Sequence, residues 1–324
     1  MTTLVLIGMS PRCYFIAEQL SRKLGGHAHL ELIWLVNSEK MILPSSLTTV
    51  LGVVGEISLK KKFEHLRLVT TEVKSLSLRD RRITTTTGSF NYDYLILDQA
   101  RLFSVGELKK LRQGWLQLIT TLQARLNTGQ KAAAEVVFDG REASSVQLAL
   151  ALRADVAERF PKVNRYLEII CQGVKDSSLK EFLTRHQISA RRAVSRPGMI
   201  VGSPRSMVAS QKIRGLRIDQ RGQAVTEVDG SPLSFPEVII IDGAVRDWQN
   251  LLRFEKTLAS LAVENIQSKL DGLAPREIIS HAKAFILQTN KESYVEFGSI
   301  QGTGPRARLV AALERRTTKQ LNNR

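Results

Sequence analysis

The sequence predicts an α/β fold in which one βαβ-containing domain is inserted into another, with a short segment following at the C-terminus. The chain has 324 residues, more than one compact core of ordinary size holds, which predicts two domains. An apolar run, a glycine turn, an amphipathic stretch and a second apolar run follow one another twice, in residues 3–36 and 134–171. A buried-strand pattern at 236–241 then returns the chain to the first sheet. This order is typical of nested parallel sheets.

The first unit opens with the apolar run 3–7 and the turn residue Gly8. Residues 14–24 have the spacing of an amphipathic helix, and residues 30–36 are the next strand-like run. Strand, glycine turn, helix and strand in this order predict a βαβ unit that begins a parallel sheet.

An antiparallel meander is predicted after the first unit. Polar and apolar residues alternate at 63–78 and again at 82–86, and the chain then enters the strand-like run 92–97. Residues 106–127 carry leucines and a tryptophan at three- and four-residue steps, which predicts a helix with one buried face.

The second unit repeats the pattern of the first. Its predicted elements are strand 134–138, turn 139–145, helix 146–159, strand 166–171, helix 179–186 and strand 199–201. The chain then returns through two strand-like runs within 216–228, joined by a turn at Gly222, to the strand 236–241 and the long helix 251–270. A strand at 294–297 and a basic helix from Ala307 complete the pattern. We therefore assign residues 1–128 and 203–280 to the first domain, 129–202 to the inserted domain and 281–324 to a basic C-terminal segment.

Cysteine and histidine spacing argues against a metal centre. Cys13 and Cys171 are far apart, so they form neither a redox CxxC pair nor a multi-cysteine zinc site. His27 and His29 could share one side of a strand, but at a loop edge a solvated pair is favoured over metal ligands. The sequence predicts no metal.

The charge indicates a polyanionic partner, or else a generally basic protein. The formal net charge is +16, and basic residues crowd the end of the chain at Arg306, Arg308, Arg315, Arg316 and Lys319. No nucleic-acid-binding motif accompanies them, so an anionic membrane surface is the favoured partner of this segment and nucleic acid is not. No window reaches the roughly 18 apolar residues of a transmembrane helix, and residues 1–8 resemble a buried strand rather than a leader. A cytoplasmic protein, peripheral to the membrane through its C-terminus, is expected.

Two stretches carry a resemblance to a known family. The strand Tyr92-Asp93-Tyr94-Leu95-Ile96-Leu97 and the run 215–238 lie in the order and spacing found in pyridine-nucleotide flavoprotein oxidoreductases. The chain resembles the type II NADH dehydrogenases most closely within that family. The resemblance implies two Rossmann-like dinucleotide-binding domains, an FAD-type domain with an inserted NAD-type domain. It also implies FAD and NAD(P) as cofactors and electron transfer from NAD(P)H to a quinone-type acceptor.

The resemblance also implies where FAD would bind. The phosphate loop corresponds to residues 8–13, where glycine is kept at the first position only and serine and cysteine replace the other two. Arg12 either pairs with phosphate or, as we expect, is exposed at the surface. The implied positions around FAD are Gly8, Ser10, Arg12, Cys13, Asn37, Val73, Asp98, Gln99, Ala100, Asp242 and Gly243. Asn37 stands where the family has a ribose-binding acid, and Asp98 where it has a small, apolar turn residue.

The implied NAD(P) loop is altered in the same way. Glu142 occupies a glycine position between Gly140 and Ser145, where a carboxylate repels pyrophosphate unless Arg141 neutralises it. Gln147 stands at the position of the family's glutamate and cannot act as an acid or base. These changes favour a catalytically degenerate relative that acts as a partner or scaffold, in a homodimer or in a heterodimer with a related subunit. The alternative is an active FAD-dependent NAD(P)H:acceptor oxidoreductase with atypical loops.

Overall fold

The computed structural model describes thirteen ranges of the chain, which together hold its sheets and helices. These ranges are 1–42, 56–59, 63, 65–100, 105–130, 133–191, 199–201, 213–218, 224–241, 252–278, 284–289, 292–297 and 300–322. The strands are β1 Thr2–Ile7, β2 Leu30–Val36, β3 Lys40–Ile42, β4 Glu56–Ser58, β5 Leu66–Thr70, β6 Val73–Ser77, β7 Arg82–Thr85, β8 Ser89–Asn91, β9 Tyr94–Asp98, β10 Ala134–Asp139, β11 Leu167–Gln172, β12 Ile188–Arg191, β13 Met199–Ile200, β14 Ile213–Arg214, β15 Val238–Ile241, β16 Ala284–Gln288, β17 Ser293–Phe297 and β18 Ile300–Gly302. The helices are α1 Pro11–Leu24, α2 Val105–Asn127, α3 Ala143–Arg159, α4 Pro161–Asn164, α5 Ser177–Arg185, α6 Leu252–Leu270 and α7 Pro305–Asn322.

A five-stranded parallel sheet forms the first unit, with strand order β15-β9-β1-β2-β5. The inner strands β1, β2 and β9 are apolar through most of their length because helices and a second sheet cover both faces. α1 and α6 pack together on one face. The carboxyl ends of β1 and β9 therefore meet beside the N-terminus of α1, which positions the loop discussed below.

The second unit is a four-stranded parallel sheet of order β12-β11-β10-β13. α3 packs on β10 and β11, and its apolar residues join α2 and α5 in one core. The α/β fold class with two parallel sheets is thus as predicted. The proposed domain boundaries themselves stay a prediction.

The meander differs from its prediction at the first strand. The alternating residues 63–78 are predicted to belong to the antiparallel meander, but they hold two strands, β5 and β6, and β6 alone lies in it. β5 joins the parallel sheet beside β2, and the amide of Thr71 bonds to Val36 where the chain leaves that sheet. Only β6, β7 and β8 form the antiparallel meander, with β14 added in parallel to β6. Alternation alone does not distinguish two short strands in different sheets from one long strand.

The C-terminal segment has more structure than the sequence pattern indicates. The predicted strand 294–297 is β17, the central strand of an antiparallel sheet of order β16-β17-β18. β16 packs on α3, while α7 packs on α6 and on β17. This segment therefore contacts elements of both parallel sheets. Among the helices of the described ranges, none combines the length and apolar character that a bilayer-spanning helix requires.

Candidate functional site

The loop between β1 and α1 encloses very little space. Gly8 has φ +146°, and a Cβ placed on it would lie 2.5 Å from Cys13 Sγ and 2.7 Å from Asp98 Cβ. Only glycine fits such a conformation and such contacts. Gly8 is therefore required by the side chains of Cys13 and Asp98, which occupy the hollow of the turn.

Ser10 is the N-cap of α1. Its hydroxyl accepts a hydrogen bond from the Cys13 amide at 3.3 Å and donates one to the Asp98 carboxylate. An N-cap serine contributes about 1 kcal/mol to helix stability by satisfying an amide that has no partner in the helix. At this position serine thus stabilises the start of α1 itself.

Asp98, the last residue of β9, is buried against the first turn of α1. In addition to the bond from Ser10, its carboxylate accepts bonds from the Cys13 thiol at 3.2 Å and the Ala100 amide at 3.1 Å. It also pairs with Arg12 Nη1 at 3.4 Å. A helix N-terminus attracts negative charge because its amide groups point outward without partners. At the N-terminus of α1, the position that attracts an anion is occupied by the carboxylate of Asp98, a residue of the chain itself.

Arg12 is buried, which contradicts its expected exposure at the surface. Its side chain is 1% exposed, and Nε donates to Glu255 Oε2 of α6 at 2.7 Å. Its guanidinium therefore bridges two carboxylates of the chain, Asp98 and Glu255. A buried guanidinium needs such partners because an uncompensated charge in the interior costs several kcal/mol, by order of magnitude. Glu255 was not singled out in the sequence.

The ionisable groups of this cluster are strongly affected by burial. Burial raises the pKa of the Cys13 thiol well above its usual range, and the Asp98 carboxylate raises it further. Burial also raises the pKa of Glu255, while the Arg12 guanidinium opposes that shift. Cys13 is thus held as a protonated thiol, which agrees with its role as a hydrogen-bond donor to Asp98.

Of the remaining positions implied for FAD, Gln99 and Ala100 adjoin this cluster, Asn37 and Val73 take no part in its hydrogen bonds, and two lie outside the described residues. Asn37 is exposed just after β2, and Val73 is buried at the start of β6. Gln99 is buried, and its amide bonds to Ile241 of β15 at 3.1 Å. Ala100 follows it at the half-buried turn. The pair 242–243, Asp and Gly, lies outside the described residues.

The loop between β10 and α3 is also closed around its glycine. A Cβ on Gly140 would lie 2.4 Å from Val174 Cγ2 and 2.9 Å from the Gln172 carbonyl oxygen. Arg141 makes a two-point ion pair with Asp139, with Nε and Nη2 each 2.9 Å from a carboxylate oxygen. Glu142 is the N-cap of α3 and is buried. From the sequence, Arg141 was considered as the residue that neutralises Glu142. In the structure, Arg141 pairs with the carboxylate of Asp139.

Within α3, the next two implied positions are fully buried. Ser145 has no exposed surface, and its hydroxyl lacks a hydrogen-bond partner among the described residues. Gln147 makes two reciprocal bonds of 2.9 Å with the backbone of Gln288, from Nε2 to the carbonyl oxygen and from the amide to Oε1. These bonds attach the end of β16 to α3. Gln147 is thereby used to hold two elements of the chain together.

Comparison with known proteins identifies the fold and no closer relationship. No family model and no curated protein matches the sequence. A sulfide:quinone oxidoreductase from Aquifex aeolicus aligns over 100% of this chain and 92% of its own, with a TM-score of 0.67 and 10% identity. A chain in the structure of the Tetrahymena thermophila mitochondrial ATP synthase F1Fo tetramer aligns over 100% and 97%, with a TM-score of 0.66 and 10% identity. A ferredoxin reductase from Rhodopseudomonas palustris aligns over 91% and 82%, with a TM-score of 0.55 and 12% identity.

These matches confirm the predicted fold. The chain has the two-domain, Rossmann-like fold of the FAD- and NAD(P)-dependent flavoprotein oxidoreductases, at identities low enough to mark it as divergent. At such identities the likeness concerns the fold, and function depends on the side chains in the site.

Proposed function

We propose that this chain has kept the flavoprotein oxidoreductase fold without its flavin chemistry, and that it acts as a partner or scaffold protein. The observation that carries this proposal is the Asp98 carboxylate at the N-terminus of α1. In this fold that helix end is the anion-binding position for a dinucleotide. Here an internal anion, held by Ser10, Arg12 and Cys13, takes the place of an external one.

The size of the electrostatic effect supports this interpretation. Two unit charges of like sign about 4 Å apart repel by about 4 kcal/mol at an effective dielectric constant of about 20. A pyrophosphate entering beside Asp98 would meet that repulsion and would also have to displace the Cys13 and Asp98 side chains from Gly8. The residues present therefore do not fit the phosphates of FAD, and we derive no redox step for this chain.

The second loop supports the same conclusion for NAD(P)H. Glu142 is a buried carboxylate at the N-cap of α3, and Val174 fills the space beside Gly140. Gln147, at the position of the family's glutamate, is bonded to the backbone of Gln288. In both loops, the space beside the glycine is filled, a buried carboxylate lies at the helix N-terminus, and side chains at cofactor positions bond within the chain. All three features oppose binding of a dinucleotide.

A structural role suits the fold as well as a catalytic one does. The Tetrahymena structure with a TM-score of 0.66 is described as an ATP synthase tetramer, so this fold is present within a large assembly. The partner in our proposal is a further protein subunit, either a second copy of this chain or a related one. The second candidate is an active FAD-dependent NAD(P)H:quinone-type oxidoreductase, and the Aquifex sulfide:quinone oxidoreductase, with a TM-score of 0.67, supports its quinone acceptor but not its NAD(P)H donor.

A surface of α7 suggests where an anionic membrane would bind. Leu309 and Leu313 are 63% and 50% exposed, one helical turn apart. Exposed arginines surround these leucines on the same helix, namely Arg306, Arg308, Arg315 and Arg316. An apolar pair within a cationic surface is the arrangement that binds anionic lipid at the headgroup level.

The visible spectrum of the purified chain tests the main proposal. Protein purified without added flavin is expected to be colourless, and titration with FAD is expected to show no binding tighter than micromolar. It is also expected to oxidise no NADH with quinone or ferricyanide. A yellow preparation with close to one FAD per chain would favour the active oxidoreductase instead.

A further inference from the structure

Glu314 of α7 is a buried acid that contacts the N-terminus of α6. It is 3% exposed, and both carboxylate oxygens accept a bond from the Leu252 amide, at 2.9 and 3.1 Å. Leu252 is the first residue of α6, so Glu314 satisfies one of the free amides at the start of that helix from another part of the chain. This contact joins α7 to α6.

The described apolar contact of α7 is made by two alanines and the partly buried Val310, which packs in the same cluster as Phe254 of α6. The fully buried apolar residues of α7 in the described part of the chain are Ala307 and Ala311, which pack against Ile286 and Val295. Leu309 and Leu313 of α7 are exposed. Alanine side chains bury little apolar area, and each buried methylene-sized group contributes only about 0.8 kcal/mol. The polar contact through Glu314 therefore adds to a modest apolar contact in the described part of α7.

The surroundings of Glu314 carry an excess of negative charge. Glu255 lies one turn along α6 from Leu252, and its carboxylate acts on Glu314. Glu255 already shares Arg12 with Asp98. In the described part of the chain, Glu314 thus has the buried Glu255 carboxyl group as its charged neighbour, and the hydrogen-bond donor to its own carboxylate is a neutral amide.

We propose that α7 is a proton-controlled latch, which is docked more firmly on α6 while Glu314 carries a proton and opens more often when Glu314 ionises. A neutral carboxyl group can still accept the Leu252 bond through its carbonyl oxygen. An ionised one places a negative charge in a buried position beside the Glu255 carboxylate, and opening of α7 moves that charge into water.

The direction of the pH dependence follows from the pKa of Glu314. Burial, and then the Glu255 carboxylate, raises this pKa from 4.5 to about 7 against the opposing bond from Leu252. The docked state therefore binds the proton more tightly than the released state does. Docking is strongest below pH 4.5 and weakens as the pH rises to about 7, above which it changes no further. The opening equilibrium should rise about tenfold between about pH 6 and about pH 8.

Among the described residues of the elements that pack on α7, the other charged groups do not account for this effect. On β17, Tyr294 bonds to Asp176 through its hydroxyl, and Glu296 is half-buried. On β4, Glu56 is paired with Lys40, and the described strand β18 carries no ionisable side chain. Glu255 on α6 is the charged neighbour that acts on Glu314.

Hydrogen exchange of the full chain tests the latch. The backbone amides of α7, corrected for the intrinsic pH dependence of exchange, should lose about tenfold of their protection between about pH 6 and about pH 8. In Glu314→Gln, which keeps an acceptor for Leu252 but cannot ionise, that protection should be independent of pH. Glu264→Gln, on the solvent side of α6 where it pairs with Arg276, is the matched control and should behave like the wild type.

Two results would overturn the proposal. One is a wild-type α7 whose corrected protection does not change between these pH values, and this measurement needs no variant to fold. The other is a folded Glu314→Gln chain that retains the pH dependence of the wild type.

Discussion

Arg12 and Glu255 are 243 positions apart in the chain, yet their side chains meet at 2.7 Å in the interior. Arg12 is in the first turn of α1, and Glu255 is in the first turn of α6. The two helices pack together on the same face of the five-stranded sheet, so the pair joins the beginning of the chain to its last third. Through Asp98, the same guanidinium also fixes the loop that ends β9.

Removing the guanidinium should strongly destabilise the chain. Arg12→Met keeps an unbranched side chain but leaves Asp98 and Glu255 as buried carboxylates without a cation. We expect the free energy of unfolding to fall by about 3–5 kcal/mol, measured by urea denaturation at neutral pH. Arg276→Met, which breaks an exposed pair with Glu264, is the matched control and should cost well under about 1 kcal/mol. Equal losses of unfolding free energy in both variants would show that the buried ion pair stabilises the chain no more than the exposed pair does.

NAD(P)H should bind weakly or not at all. Glu142 is buried at the N-cap of α3, where it opposes a pyrophosphate, and the hollow beside Gly140 is filled by Val174. Calorimetric titration with NADH and with NADPH should show no micromolar binding to the wild type. Glu142→Gln removes the charge while keeping the size, so any gain in affinity would measure the electrostatic part alone. Micromolar binding of either nucleotide to the wild type contradicts the prediction.

Both cysteines should be unreactive in the folded protein. Cys13 and Cys171 are fully buried, and burial raises the pKa of each thiol above its usual range. Since the thiolate is the reacting form, alkylation at about pH 8 should be slow in the native state and complete in denaturant. Thiol titration with and without guanidinium chloride checks this. Rapid labelling of Cys13 in native protein would mean that the loop after β1 opens readily.

The order of elements could be predicted from the sequence because it depends on local patterns. Apolar runs followed by glycine and by an amphipathic stretch are visible over a few residues, and both parallel units were found where those patterns lie. β16 was missed because its apolar run does not alternate, and such a run cannot be told from part of a buried helix by periodicity alone. β18 was missed because it has only three residues.

The contacts within the site could not be predicted in the same way. The sequence indicated that Ser10, Cys13 and Asp98 are unusual for the resembled family, but it gave no sign that they bond to one another. Such contacts depend on which strands become neighbours, a property of the whole sheet. One local signal was available for Glu255. It stands at helical spacing among Leu252, Leu258, Ala259 and Ala262, where an acid on an apolar face requires a buried partner.

The exposed face of α7 should bind anionic vesicles in a salt-dependent manner. Leu309 and Leu313 can enter the headgroup region while the surrounding arginines each contribute about 1 kcal/mol near such a surface. Co-sedimentation with vesicles containing phosphatidylserine should therefore be clear at low salt and weaken as salt rises, because screening reduces the arginine contribution. Changing both leucines to serine should reduce binding without changing the net charge.

Leu273→Ser, which alters a leucine of equal exposure just beyond α6, is the matched control and should leave binding unchanged. Binding to duplex DNA of the same strength as to vesicles, and unaffected by the leucine changes, would show that the charge alone acts and that the apolar pair is not a membrane contact.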